Sequence, residues 1–285
     1  MRSLREVLEE AREKRVAVGH FNFSDSTQFN AILQAAQELS VPVIVGVSEG
    51  EENFVKMENA VALVQAARTK GFEIYLNADH HKSVEACKAV IDAGYDSVIF
   101  DGVELPLEEN IAKTREVVEY ARNSGRDVIV EAELGYIGTS SKMLDEVPED
   151  VLSASLPSVE DALNFVNETG VDALAPAVGN LHGMLKNMPN PDLKIDLIES
   201  LREALPDTHF VLHGGSGIKD EDFKRAIKAG MNCVHINTEI RKAYREGIEE
   251  GLKDENQIAP YKYIAPGKEK MKEVVKARLK LFNDL

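Results

Sequence analysis

The sequence has few cysteines, few basic residues for its length and no long apolar run. Cys87 and Cys233 lie inside apolar periodic segments without CxxC spacing, so we expect reduced, structural thiols in a cytoplasmic protein. No stretch approaches the roughly 18 apolar residues that a membrane helix needs. The charged first residues also lack the apolar segment of a signal peptide.

Positive charge is scarce, because 33 basic residues face 49 acidic ones and the formal net charge is −16 at pH 7. Neither a nucleic-acid nor a membrane partner is expected, since neutralising phosphates requires clustered basic side chains. An acidic protein that binds anions must do so locally, through backbone amides or a metal ion. With 285 residues, 44% of them hydrophobic, the chain can bury a large core.

Short β-branched runs alternate with longer segments of helical period. The eight strand-like runs cover residues 16–23, 42–48, 73–79, 97–102, 127–134, 172–179, 209–215 and 233–239. A helical pattern follows each run, which predicts a single domain over residues 1–285, a (β/α)8 TIM barrel with an N-terminal helix (3–14) and a C-terminal helical tail (268–282). The alternative, an open doubly wound sheet, would need a GxGxxG motif after the first strand, and residue 23 is not followed by one.

Histidines concentrate at the carboxyl ends of the predicted strands, where barrels carry their active sites. The four histidines at these ends are His80, His182, His213 and His235. Zinc sites use imidazoles from several strands, so we expect His80, His182 and His213 to bind a metal ion. Glu133 would be a fourth ligand, or a carboxylate that orients an imidazole. Any one histidine alone could equally be a hydrogen-bonded residue of the barrel mouth.

The motif NADHH ends the third predicted strand with an acid and two imidazoles. Neighbouring residues of a regular strand point to opposite faces, so Asp79 and His80 would both reach the site only if the strand bends. Asp79 is then a candidate acid/base. The alternative is an aspartate that caps the next helix together with Ser83. His81 is expected to be structural or to support the site from behind.

Two glycine motifs, GNLHG and HGGSG, surround candidate ligands. Glycines let backbone N–H groups approach an anion, and the loops after strands seven and eight form the usual phosphate site of barrels. Ser216 adds a hydroxyl, and Thr238 adds another at the start of a helix. A tight turn that needs positive φ would explain HGGSG alone equally well.

Taken together, these residues resemble the class II, metal-dependent ketose-bisphosphate aldolases of the fructose or tagatose type. The resemblance runs from about Ser3 to Phe282 and is carried by FNFSD, PVIVGVSEG, NADHH, VEAELG, GNLHG, LHGGSG and INTEI. It implies a lyase with zinc, or Co²⁺, Fe²⁺ or Mn²⁺ in its place, on the three histidines and with Glu133 beside the metal. It further implies Asp79 as the acid/base at an aldehyde oxygen.

The resemblance also implies a substrate. The positions that match substrate contacts are Asn22, Ser48 and Asn237, and those that match the phosphate site are Gly183, Gly214, Ser216 and Thr238. A monovalent cation, Na⁺ or K⁺, would assist there. The implied reaction cleaves a ketose 1,6-bisphosphate, foremost fructose 1,6-bisphosphate, to dihydroxyacetone phosphate and glyceraldehyde 3-phosphate. A relative with an altered sugar-phosphate substrate and a non-catalytic sugar-phosphate binding protein are the alternatives, and a homodimer or larger homo-oligomer is expected.

Two positions depart from the family pattern. The long loop 135–157 is expected to act as a lid, and where the family loop carries a glutamate this chain has Ser141. Either another loop acid, foremost Glu146 and otherwise Asp145 or Glu149, serves as the base at carbon, or the proton is abstracted in a different way, or this step is lost. On the eighth strand His235 replaces the usual asparagine and is a second candidate base or an extra ligand.

Overall fold

A computed structural model of the protein describes residues 1–139 and 141–285. The first half of the chain comprises α1 (Leu4–Lys14), β1 (Val18–Asn22), α2 (Ser26–Leu39), β2 (Val43–Ser48), α3 (Glu49–Val55), α4 (Met57–Arg68), β3 (Ile74–His81), α5 (Val84–Ala93), β4 (Ser97–Phe100), α6 (Leu107–Asn123) and β5 (Ile129–Leu134). The second half comprises β6 (Met143–Leu144), α7 (Glu149–Ser153), α8 (Val159–Thr169), β7 (Ala173–Pro176), β8 (Met184–Leu185), α9 (Ile195–Ala204), β9 (His209–Leu212), α10 (Asp220–Ala229), β10 (Cys233–His235), α11 (Thr238–Gly251), α12 (Pro260–Tyr263) and α13 (Ala265–Phe282).

Eight parallel strands close into a barrel in the order β1-β10-β9-β7-β5-β4-β3-β2. Each strand is followed by helix, and the buried apolar residues of strands and helices form the core between the two layers. This confirms the predicted (β/α)8 barrel. Because the strands are parallel, all eight carboxyl ends meet at one mouth.

The N-terminal helix closes the opposite end of the barrel. Ser3 and Glu6 form a capping box at the start of α1, which satisfies its first backbone N–H groups. The buried residues of α1 follow helical spacing and pack against the inner residues of the strands: Leu4, Val7, Leu8 and Ala11 against Val18, Ile44, Tyr75, Ile129 and Val211. The predicted N-terminal helix therefore plugs the bottom of the barrel.

The C-terminal tail helix α13 packs against α2 and α11 on the outside of the barrel. It buries an apolar stripe that includes Met271, Val275 and Leu279. Neither α13 nor any other helix within residues 1–139 and 141–285 is long and apolar enough to cross a membrane. Cys87 and Cys233 are buried as free thiols, as predicted.

Short elements in the loops above the mouth are additional to the predicted barrel. Helix α3 begins directly after β2, and α7 lies inside the long loop 135–157. Strand β6 of that loop pairs in parallel with β8, which follows His182. The long loop is thereby attached to the loop that carries one of the predicted metal ligands.

Asp172, just before β7, connects four elements of the barrel. Its carboxylate accepts hydrogen bonds from the backbone N–H of Val130 (2.9 Å), from Arg5 on α1 (2.7 Å) and from Arg122 on α6 (2.8 Å). Burial alone would raise the pKa of Asp172, but these hydrogen bonds hold it below its ordinary value. The ionised carboxylate therefore stabilises the folded state at neutral pH.

Substitution Asp172→Asn is expected to lower the free energy of unfolding at pH 7 by about 2–3 kcal/mol, because hydrogen bonds to a charged group are lost. A depressed pKa stabilises the fold above the unfolded-state pKa, and that contribution disappears as the pH falls through the folded-state value. The difference between wild type and variant should therefore shrink below about pH 4. Urea denaturation across this pH range measures it.

Asp127→Asn is the matched control, because Asp127 also pairs with Arg5, at 2.9 Å, but its side chain is 46% exposed. Its loss should cost less than about 1 kcal/mol. Equal effects of the two substitutions would contradict the role assigned to Asp172.

Candidate active site

The carboxyl end of β3 is irregular at the NADHH motif. The pairing of β3 with β4 shifts register between Ala78 and His81, and His80 has a φ of +53°. A non-glycine residue in this left-handed region costs about 1–2 kcal/mol, which the surrounding contacts must offset. The bulge lets Asp79 and His80 both face the same cavity, which adjacent residues of a regular strand could not do.

The cavity at the barrel mouth has a volume of about 260 Å³. It brings together every predicted site residue except Glu146: Asn22, Ser48, Asp79, His80, Glu133, His182, Gly183, His213, Gly214, Ser216, His235, Asn237 and Thr238. Residues from eight strand ends and the following loops thus line one space, as expected for a barrel enzyme.

Glu146 lies outside this cavity. It is exposed on the long loop, and its neighbour Asp145 pairs with Lys186 at 2.8 Å. The pairing of β6 with β8 attaches this part of the loop to the segment after His182, and the acids Asp145, Glu146 and Glu149 are exposed and do not line the cavity. Ser141 lines the cavity instead, so the structure does not bring the expected loop acid to the site.

Three imidazoles and one carboxylate converge at the centre of the cavity. His80, His182, His213 and Glu133 each offer a ligand atom, and all four atoms lie within 4.8 Å of one another. The ring centroids of His80 are 5.0 Å from those of His182 and 4.9 Å from those of His213. These are the residues and the spacing of a metal centre with nitrogen and oxygen ligands.

The second nitrogen of each imidazole is hydrogen-bonded to a group that can only accept. His80 Nδ1–H donates to Asp101 (3.2 Å), and His182 Nδ1–H donates to the carbonyl of Gly138 (2.6 Å). His213 Nε2–H donates to Glu131 at 2.7 Å. Each bond fixes the tautomer of the neutral ring, so the other nitrogen of each ring would offer its lone pair to a bound metal ion.

Two buried atoms of this cluster make no hydrogen bond with the described residues, His213 Nδ1 and Glu133 Oε1. They lie only 2.7 Å apart, yet their geometry is not that of a hydrogen bond. Buried polar atoms normally have a partner, and a shared cation would satisfy both of these. The residues present therefore fit a bound metal ion.

The buried carboxylates of the cluster also favour a bound cation, because their negative charge needs compensation. Burial by itself would lower the pKa of His80, but the negative charges of Glu133 and Asp79 outweigh this effect and raise the pKa to about 9. The pKa of His213 is likewise raised well above its ordinary value by Glu133 and Glu131 in spite of its burial. Burial would raise the pKa of Glu133, but the two imidazoles lower it to about 2. The carboxylates thus stabilise positive charge at the cluster, either as protons on the imidazoles or as a bound metal ion.

Asp79 is held beside the cluster as a carboxylate. Asn22 Nδ2–H donates to its Oδ2 at 2.7 Å. Burial would raise the pKa of Asp79, but the positive charge of His80 lowers it well below its ordinary value. Its Oδ1 is buried without a hydrogen-bond partner among the described residues, and lies 3.6 Å from His235 Nδ1 and 3.8 Å from His80 Nε2.

His235 stands in a stack of three imidazoles below the cavity. Its ring lies 3.6 Å from that of His20 at an interplanar angle of 12°, and 4.2 Å from that of His213. Burial lowers the pKa of His235 well below its ordinary value and that of His20 to about 4, so both rings are neutral. His235 also belongs to two further groups of ligand-type side chains, one with His20 and Asp79 and one with Glu131 and His213, whose ligand atoms lie within 4.8 Å of one another.

The glycine loops lie on the β7, β9 and β10 side of the cavity. Gly214 has a φ of +61°, and a Cβ there would meet the carbonyl oxygen of Leu181 at 2.3 Å, so only glycine fits. Ser216 Oγ accepts the backbone N–H of Glu239 (3.2 Å) in the first turn of α11. The tight-turn explanation of HGGSG therefore holds, and this loop lines the cavity beside the N-terminus of α11.

Several residues that complete the site were not predicted from the sequence. Glu131 supports His213, and Asp101, which follows β4, supports His80. Glu131 precedes Glu133 by two residues and therefore shares its face of β5, a signal that strand alternation could have supplied. His81 is buried with its Nε2 3.5 Å from Glu52 and does not line the cavity.

Comparison with known proteins agrees with this geometry along nearly the whole chain. The family model described as fructose-bisphosphate aldolase class-II matches residues 2–284. The chain belongs to the class-II fructose-bisphosphate aldolase family. The members of this family are lyases. The (β/α)8 barrel is also the fold of the similar aldolase structures.

Similar class-II aldolases come from several bacteria. The fructose-bisphosphate aldolase of Geobacillus stearothermophilus is 39% identical, and that of Staphylococcus aureus is 38% identical; each match covers 98% of this chain and 96% of the relative. The solved structure of the YdjI aldolase from Escherichia coli K12 has a TM-score of 0.81 at 28% identity, covering 99% of this chain and 96% of that one.

Glu131→Gln should weaken zinc binding by about 10- to 100-fold, because a carboxylate that accepts from a ligating imidazole raises the basicity of that ring. Competition with a coloured chelator measures the affinity, and circular dichroism checks folding. The control is Glu116→Gln, which changes an exposed carboxylate paired with Lys88. Unchanged zinc affinity in Glu131→Gln would show that His213 does not need this support.

Proposed function

We propose that this class-II aldolase is zinc-dependent and cleaves a ketose phosphate reversibly to dihydroxyacetone phosphate and an aldehyde. The observation that carries the proposal is the convergence of three oriented imidazoles, an ionised aspartate and a glycine-lined loop in one cavity. Fructose 1,6-bisphosphate, with glyceraldehyde 3-phosphate as its aldehyde product, is the first substrate to test, because two similar relatives are named for it. Tagatose bisphosphate is its alternative.

In this proposal His80, His182 and His213 hold the metal ion, with Glu133 beside it. A bound zinc ion would supply Lewis-acid polarisation of the ketone carbonyl. Asp101, Glu131 and the carbonyl of Gly138 orient the three rings from behind. Imidazole ligands also suit Co²⁺, Fe²⁺ and Mn²⁺, so the ligand set narrows the choice of metal without determining it.

The phosphate of dihydroxyacetone phosphate would lie on the glycine side of the cavity. Gly183, Gly214, Ser216 and Thr238 line that side. Backbone amides and the N-terminus of α11 bind an anion without lysine or arginine, which suits an acidic chain. A monovalent cation would assist by neutralising part of the phosphate charge. Asn237 contributes indirectly, because its Oδ1 accepts the backbone N–H of Asn22 at 2.9 Å.

Asp79 would transfer the proton at the aldehyde oxygen. It is ionised, its Oδ2 is oriented by Asn22, and the residue lines the cavity. The proton at carbon needs a different base, since Ser141 occupies the position of the family glutamate. His235 is our candidate, because it is a neutral imidazole that lines the cavity. Glu146 would need the loop to move before it could take this role.

A protein that binds sugar phosphates without turning them over is the second candidate, and Ser141 is the residue that favours it. Exchange of the carbon-bound proton of dihydroxyacetone phosphate with solvent separates the two functions. A homodimeric or larger assembly and a cytoplasmic location also remain predictions.

The proposal is tested with metal-depleted and zinc-loaded protein. Zinc-loaded protein should release triose phosphate from a ketose phosphate and exchange the carbon-bound proton, and a chelator should abolish both. A coupled triose-phosphate assay and proton NMR measure the two activities. Binding of dihydroxyacetone phosphate without exchange above the background of free zinc would instead establish the binding-only function.

Asp79→Asn should reduce cleavage by about 10²- to 10⁴-fold, the usual contribution of a general acid or base. Proton exchange into dihydroxyacetone phosphate should largely persist, because that step occurs at carbon and involves no aldehyde. Steady-state cleavage and NMR exchange rates provide the comparison, with Asp145→Asn, outside the cavity, as the control. A parallel loss of both activities would remove the separate role of Asp79 at the aldehyde oxygen.

A further inference from the structure

The β1 and β2 side of the cavity contains a network centred on Glu51 of α3. The Glu51 carboxylate accepts hydrogen bonds from Asn22 Nδ2 (2.8 Å) and from the backbone and hydroxyl of Ser48 (3.0 and 2.9 Å). It also accepts from Ser24 Oγ (3.3 Å) and from Arg241 Nη2 (2.6 Å). Donors from β1, β2 and α11 therefore all point at one carboxylate, which is only 11% exposed.

Glu51 itself stands behind the cavity wall, whereas Asn22, Ser48 and Arg241 line the cavity. Their N–H and O–H groups are the ones that could hold an anion at this end. Nδ2 of Asn22, both donors of Ser48 and Nη2 of Arg241 are already engaged by Glu51. A carboxylate of the protein thus occupies the donor set that a second phosphate would require.

Both cationic side chains that line the cavity in the described part of the chain are paired with acids. Arg241 pairs with Glu51 at 2.6 Å, and Lys82 pairs with Glu104 at 2.8 Å. Asn22 Nδ2 bridges Glu51 and Asp79, so two carboxylates lie on either side of one amide. A phosphate dianion placed here would meet net negative charge at short range.

Two buried oxygens at this end need donors, and neither has a partner among residues 1–139 and 141–285. They are Asn22 Oδ1 and Asp79 Oδ1, on side chains that are 1% and 3% exposed. A substrate hydroxyl can donate a hydrogen bond to the carboxylate of Asp79, which lines the cavity, whereas the phosphate dianion of a sugar ester can only accept. The wall therefore complements hydroxyl groups and opposes phosphate.

From this network we infer that the aldehyde half of the substrate is an uncharged hydroxyaldehyde, and that Glu51, paired with Arg241, determines this specificity. The inference rests on the proposed function, which places the phosphate of dihydroxyacetone phosphate at the glycine loops and the aldehyde beside Asp79. It narrows the substrate class to ketose 1-phosphates without a second phosphate. Glu51 acts through Asn22, Ser48 and Arg241 and is a positioning residue.

The test compares cleavage of fructose 1-phosphate with cleavage of fructose 1,6-bisphosphate by zinc-loaded protein. Wild type should have a kcat/KM for fructose 1-phosphate at least as high as that for the bisphosphate. Glu51→Gln keeps the shape of the side chain and removes its charge, so it should raise the ratio of bisphosphate to monophosphate cleavage by about tenfold or more. Glu58→Ala, an exposed acid in the first turn of α4, controls for net charge and should leave the ratio unchanged.

A wild-type preference for the bisphosphate, or an unchanged ratio in Glu51→Gln, would overturn the inference. Proton exchange into dihydroxyacetone phosphate needs no aldehyde and reports on the proposed function by itself. If the protein exchanges the proton but prefers the bisphosphate, only the inference about the aldehyde half is rejected. If the protein neither exchanges the proton nor cleaves any ketose phosphate, the proposed function is rejected as well.

Binding of inorganic phosphate gives a second readout that does not depend on turnover. Calorimetric titration should find one phosphate per chain in wild type, at the glycine loops, and two in Glu51→Gln, where Arg241 and Ser48 are released. Two phosphates bound by wild type, or one bound by the variant, would count against the inference.

Discussion

Closure of the barrel is the constraint on which the site depends. His80, Glu133, His182 and His213 come from strands and loops far apart in sequence, and only a closed parallel sheet brings their ligand atoms within 4.8 Å. The bulge at the end of β3 completes the arrangement, because it turns both Asp79 and His80 toward the cavity. The left-handed backbone of His80 is a local cost that Asp101 and Glu133 help to offset.

Buried charge links the metal centre to the rest of the mouth. Asp79, Glu131 and Glu133 are buried carboxylates, each within contact of at least one imidazole. Such groups are stable in a low-dielectric interior only when positive charge or donated hydrogen bonds compensate them. The same acidity explains why the glycine side of the mouth relies on backbone amides, since a cluster of free lysines or arginines beside these carboxylates would pair with them.

The two sides of the cavity differ in what they offer a ligand. Backbone amides, Ser216 and the first turn of α11 present donors on one side, where an anion is stabilised. On the other side donors of Asn22, Ser48 and Arg241 are engaged by Glu51, and Asp79 adds a second carboxylate. A substrate with one anionic end and one hydroxyl-bearing end matches this asymmetry. Membership of the family defines the class of reaction, whereas this asymmetry is a property of the individual chain.

Much of the site was accessible from the sequence because its signals are local. Alternating apolar runs and helical periods predicted the barrel, and the position of a residue at a strand end predicted more than half of the cavity lining. Glu146 shows the limit of such reasoning. Its place in the loop predicted a role at the site, but the pairing of β6 with β8 holds it outside the cavity.

The sequence by itself determined the order of strands and helices, the residues at the mouth and the family, since these follow from periodicity and motifs within short segments. Only the tertiary structure decided which nitrogen of each imidazole faces the centre, that Asp101 and Glu131 support the ligands, and that Glu51 engages Arg241. These features depend on the direction of hydrogen bonds between residues up to 190 positions apart. These hydrogen bonds can form only when the barrel closes and places the side chains against one another.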